Sequence, residues 1–101
     1  MGQRSADVSR LDVRCTRLRV RAVELQLSAA FTLCSTAENA LVLGRVQHAR
    51  EAIGNARRTA GVIRVHLDEP KHVPADSVAS IAERLAELQT VISRFEERLL
   101  P

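Results

Sequence analysis

Between Leu11 and Leu27 the chain reads LDVRCTRLRVRAVELQL, with apolar and polar residues alternating almost without a fault. Such alternation belongs to a half-buried strand. However, neither Gly nor Pro occurs from Gln3 to Leu43, and nothing in TRLRV turns the chain back. An unbroken strand would be about seventeen residues long, against a usual five or six. The same residues also recur at helical spacing, so the pattern predicts a helix.

Within a helix the alternation takes on a second meaning. A step of two residues turns the helix by about 200°, so alternating apolar positions form two stripes on opposite sides. One holds Leu11, Cys15, Leu18, Ala22, Leu25 and Ala29; the other holds Val13, Val20, Val23, Leu27, Phe31 and Cys34. A surface helix usually carries one apolar stripe. Two of them imply burial on two sides, and the expectation is that neighbouring helices cover one while the other, with Val20, Leu27 and Phe31, joins two copies into a homodimer.

Three helices follow from the rest of the pattern. STAE at 35–38 has the form of a capping box, which sets helix 1 at about 7–33 and helix 2 at about 36–67; the turn is short and has no C-cap glycine, so an unbroken or kinked helix through this point is the alternative. The seam of helix 2 steps by four and three through Val42, Val46, Ala49, Ile53, Ala56, Ala60, Ile63 and Leu67, a heptad pattern. Gly44, Gly54 and Gly61 interrupt it at about 1 kcal/mol each relative to Ala, which predicts a close approach by a neighbouring helix. DEPKHVP at 68–74 ends the helix through Pro70 and Pro74. Helix 3, at about 75–99, has its own heptad seam of Val78, Ile81, Leu85, Leu88, Ile92, Phe95 and Leu99. Long helices joined by short connections predict an all-α fold, an antiparallel up–down–up three-helix bundle with coiled-coil-like packing, as one domain over residues 1–101.

Composition agrees with helix packing. The chain is 46% hydrophobic and 27% charged, and Phe31 and Phe95 are its only aromatic residues, so Leu, Val, Ile and Ala must fill the core. The formal charge is +3. Residues 1–36 carry six Arg against three acids, whereas residues 74–101 carry three Arg against five acids. Arg10, Arg14, Arg17 and Arg21 form a basic edge on helix 1, and Arg50, Arg57 and Arg64, seven apart, form a basic face on helix 2; both are spaced to track phosphates or to meet acids on another helix. Glu83, Glu87, Glu96 and Glu97 are acids available within the chain. No helix-turn-helix glycine turn, zinc motif or set of stacking aromatics accompanies the basic edge. Nucleic-acid binding is therefore the alternative reading, behind a protein interaction module.

Candidate chemistry is sparse. His66, Asp68, Glu69 and His72 share the 2–3 connection at a spacing that fits no zinc pair such as C-x-x-C or H-E-x-x-H. Cys15 and Cys34 lie on apolar stripes, where an inert thiol is the ordinary case. No nucleophile elbow and no phosphate-cradling glycine loop is present. His48, the one histidine in the middle of a helix, lies just off the helix 2 seam between Arg45 and Arg50, a poor setting for phosphotransfer. The sequence thus predicts neither enzyme activity nor cofactor. The longest uncharged stretch, Leu25–Ala37, is far short of a membrane span, and the first ten residues hold no apolar run of the signal-peptide type. A cytoplasmic protein with no membrane association is the expectation.

Overall fold

Among the described residues the computed structural model holds three α-helices: α1 Gly2–Val42, α2 Val46–Asp68 and α3 Ala75–Arg98. The structure describes the backbone of residues 2–69 and 73–100, and side chains from residue 13 onward within those spans. No strand occurs among the described residues, and the fold is all-α. The alternating segment Leu11–Leu27 lies wholly inside α1.

The first helix is longer than its sequence predicts. It does not stop at residue 33, and α2 does not start at 36. Ser35 gives no N-cap; its hydroxyl donates to the carbonyl of Phe31 at 3.3 Å, and Thr36 donates in the same way to Thr32 at 3.1 Å. Both hydroxyls are satisfied one turn back, so the chain stays helical. Glu38, the other half of the expected box, turns its carboxylate to Arg98 of α3 at 2.7 Å. The helix ends instead at Gly44. The Gly44 amide donates to the Leu41 carbonyl at 3.0 Å, and the Arg45 amide donates to the Ala40 carbonyl at 2.8 Å. This is the Schellman arrangement, and it needs a left-handed residue at its corner. Gly44 supplies one, with φ at +74°. At the other connection Pro74 precedes α3, and its carbonyl accepts from the amides of Ser77 and Val78.

A single apolar core runs between the helices. α1 contributes Val23, Leu27, Ala30, Cys34, Ala37 and Ala40. α2 adds Ala49, Ala52, Ile53, Ala56, Ala60 and Ile63, and α3 adds Ile81, Leu85, Leu88, Ile92 and Phe95. No polar or charged residue is buried among the described residues. Val42 and Val46, expected on the helix 2 seam, are exposed, because the α1–α2 turn places them at its corner.

This core reverses the assignment of the two stripes on α1. Leu27 is 0% exposed within a single chain, and Val20 and Phe31 pack against the core from its edge. The face expected to join two copies is therefore already covered by α2 and α3. The other stripe faces outward, with Leu18 64% and Leu25 60% exposed.

The glycines of α2 also differ from expectation. A Cβ built on Gly61 would meet nothing within 4 Å, and one on Gly54 would meet only the far end of the Arg58 side chain at 3.9 Å. No neighbouring backbone comes close, so neither residue serves tight packing. Gly44 lies outside α2 altogether and acts through its φ angle, again with open space around it.

At about 1.5 Å per residue, 41 residues make a rod of about 60 Å, whereas α2 and α3 are each about 35 Å long. The molecule measures 65 × 19 × 15 Å, so its length is that of α1. Interhelix contacts place the shorter helices along it. Arg98 meets Glu38, Arg84 lies over the Phe31 ring at 5.8 Å, and Pro74 and Ser77 line one groove of about 350 Å³ with Val20 and Glu24. Arg50 donates to the Leu99 carbonyl at 3.0 Å, and Arg57 pairs with Glu96 through both carboxylate oxygens. Among its described residues, α1 has no buried side chain before Val23, so its N-terminal part outruns the other two helices. No helix of the described residues is long and apolar enough to cross a membrane.

Candidate interaction surface

The outward stripe of α1 comprises Cys15, Leu18, Ala22, Leu25 and Ala29, all exposed. Their spacing of three, four, three and four keeps them on one side of the helix. Large and small residues alternate: leucines at 18 and 25, and Cys or Ala between them. The core-facing stripe has the same rhythm through Val23, Leu27, Ala30, Cys34, Ala37 and Leu41. One helix thus carries two seams, and only one is used inside the chain.

Arginines border the outward seam. Arg14, Arg17, Arg19 and Arg21 are all exposed, and no acidic residue lies between Val13 and Val23. By helical phase Arg14 and Arg21 fall on one side of the seam and Arg19 on the other, with Arg17 further round. Arg10, the fourth member of the expected basic edge, has a side chain outside the described residues. The arginines of α2 are used differently. Arg57 binds Glu96, which pushes its guanidinium pKa further up through the hydrogen bond and the carboxylate charge. Arg50 reaches the end of α3, while Arg64 stays exposed. The expected basic face on α2 is therefore partly engaged by the chain's own third helix, whereas the one on α1 points outward.

The remaining chemistry is muted. Cys34 is buried, and loss of solvent pushes its thiol pKa up, which lowers its reactivity. Cys15 is exposed, and both thiols are free. Nineteen residues along one helix separate them by about 28 Å, beyond the reach of a disulfide. His66 is half-buried beside a small cavity of about 140 Å³ between α1 and α2, lined also by Arg19, Ala22, Val23 and Gln26. His72 lies outside the described residues. Among the described residues no group of His, Cys, Asp and Glu could hold a metal ion. His48 is exposed on α2.

No family model, no curated protein and no solved structure matches the chain. The sequence pattern shows the outward seam clearly, but it does not say which of the two seams faces the core. The signal that decides this is continuation: past Ala29 the first stripe runs into Thr32, Thr36 and Asn39, whereas the second stays apolar to Leu41.

Proposed function

We propose that the chain is a small non-catalytic helical interaction module, an up–down–up bundle with coiled-coil-like packing whose longest helix offers a second seam to another helix. The contact order along the helices supports this topology. Arg98–Glu38, Arg84–Phe31 and the groove shared by Ser77 and Glu24 descend both α1 and α3 together, as in parallel neighbours. Arg50 with Leu99 and Arg57 with Glu96 run in opposite senses along α2 and α3. Two free thiols suit a reducing, cytoplasmic setting.

A single observation carries the functional reading. Leu18 and Leu25 are more than half exposed at heptad spacing on a helix whose opposite seam already fills the core. Apolar residues aligned over several turns are an interaction surface rather than scattered surface leucines. Self-association passes from Val20, Leu27 and Phe31 to this outward seam, where it is one of the occupants to be tested. Replacing both residues, Leu18→Glu with Leu25→Glu, tests the reading. Helix content and melting should hold, because neither side chain is in the core, while association measured by light scattering or by binding to a helical partner should be lost. If association is the same in the variant, the seam is not the interface.

The exposed arginines of α1 favour a second reading, attachment to a nucleic-acid backbone. In that case changing Arg14, Arg17 and Arg21 to Gln should abolish duplex binding and flatten its salt dependence, while Leu18→Glu should have little effect. Insensitivity of duplex binding to those arginines removes this reading.

A further inference from the structure

We infer that the outward seam of α1 takes an acidic amphipathic helix of a partner protein, with an apolar heptad seam and Glu or Asp at the positions beside it. This rests on the reading of the chain as an interaction module and names the occupant of that site.

Three features of α1 select this partner. The first is period: steps of three and four from Cys15 to Ala29 repeat every 3.5 residues, the rhythm that keeps two supercoiled helices in contact. The second is shape. Cys15, Ala22 and Ala29 are low points between Leu18 and Leu25, so a facing helix can seat its own large residues there and bring the axes toward the near end of the usual 8–10 Å range. A stripe this narrow gives a lipid surface little to bury, since interfacial helices present a broad apolar face with bulky residues. A nucleic-acid backbone has no use for two exposed leucines.

The third feature is charge. The positions on one side of the seam carry Arg14 and Arg21, and no acid lies between Val13 and Val23; Arg19, on the other side, lies beside His66 at the α1–α2 cavity and is not counted in this complementarity. A second copy in parallel register would set Arg14 against Arg19 of the other copy, and like charges beside a seam act against pairing; an antiparallel copy, which sets the arginines largely against Ser28 and Gln26, is the competing occupant that the mass measurement below separates. Arg14 and Arg21 form no ion pair among the described residues, unlike Arg57 and Arg98, which have carboxylates of their own chain. Carboxylates on the flanks of a facing helix complete the arrangement.

The test uses the full chain and a synthetic four-heptad peptide with a Leu and Ala seam and Glu on both flanks. Its controls are the same peptide with Lys flanks, a duplex DNA and phosphatidylserine vesicles. At low salt the Glu-flanked peptide should bind at least about tenfold tighter than the Lys-flanked one, with the gap closing in high salt as the exposed pairs are screened. The Leu18→Glu/Leu25→Glu variant should lose the peptide. Reversing the flank, with Arg14 and Arg21 both changed to Glu, should transfer the preference to the Lys-flanked peptide. Equal binding of the two peptides overturns the inference, as does binding of duplex or vesicles in preference to the Glu-flanked peptide. A wild-type dimer whose mass falls in the leucine variant also overturns it, because a second copy then fills the seam; that result leaves the interaction-module reading standing. Binding and mass that are both indifferent to Leu18 and Leu25 overturn the two together.

Discussion

Replacing the glycines one at a time by alanine gives a test whose sign the structure sets. Gly61 lies inside α2, is exposed, and has no heavy atom within 4 Å of the position its Cβ would take. Alanine there meets no resistance and gains the difference in helix propensity, about 0.5–1 kcal/mol, by narrowing the unfolded ensemble. Gly54 behaves alike, since the nearest atom is the mobile end of Arg58 at ordinary contact distance. The two sites are seven residues apart, about 10 Å along the helix, so the gains should add to about 1–2 kcal/mol. For a domain of this size that is a rise in Tm of roughly 5–10 °C. Gly44→Ala should go the other way by about 1 kcal/mol, because its φ of +74° is the left-handed conformation that a Cβ disfavours. Thermal and urea melts followed by far-UV circular dichroism measure all three. The spacing of the glycines in the sequence suggests a crowded helix centre and hence the opposite sign for Gly54. Destabilisation by Gly54→Ala or Gly61→Ala would refute the open-face argument, and stabilisation by Gly44→Ala would mean that the chain runs helical through the turn.

Other consequences can be checked on the same protein. Leu27→Ala should cost about 2–5 kcal/mol as a cavity at a fully buried site, whereas Leu18→Ala should stay within about 0.5 kcal/mol; equal costs in the melt would mean the stripes have been assigned to the wrong sides. Native alkylation should modify Cys15 quickly and Cys34 only on unfolding. Because burial pushes the Cys34 pKa up, raising the pH past the normal thiol range should destabilise the fold and open Cys34, and rapid double labelling at neutral pH would contradict its burial. The Gln26 Oε1 atom is buried without a hydrogen-bond partner, so Gln26→Met should leave stability unchanged or raise it by about 1 kcal/mol; a clear loss in urea melts would show that the oxygen has a partner.

The heptad rhythm made much of the core legible. Ile53, Ala56, Ala60 and Ile63 of α2, and Ile81 through Phe95 of α3, can be picked out by counting threes and fours, because a helix must bury one side and the spacing shows which. The α1–α2 boundary was less legible, since STAE has the composition of a cap and only the alternative partners of its hydroxyls cancel it. Gly44 is the clearer stop signal: it is the first glycine after a stretch of some forty residues, and a glycine just past a helix end is the common C-terminal device. Moving the boundary also resolves the two stripes, because only a helix that continues to Val42 lets one stripe fail at Thr32 and Thr36 while the other persists. The charge pattern, by contrast, could not separate arginines held by the chain's own carboxylates from those left facing outward. Arg57 and Arg14 look alike in sequence, and they differ only in whether another helix lies within reach.

The unequal helix lengths imply a gradient of local stability along α1. From Val23 onward its backbone is held by side chains locked into a core, so its amides should exchange with solvent only when the whole bundle opens. Over Val13–Val20 most of the hold is the helix's own hydrogen bonding, which in isolation is marginal. Amide protons there should exchange faster by orders of magnitude, although the helix is continuous. An occupant of the outward seam would lie across the junction between these two regimes. Its arrival should therefore be read most sensitively as slowed exchange over the outer turns, where order and occupancy become one equilibrium.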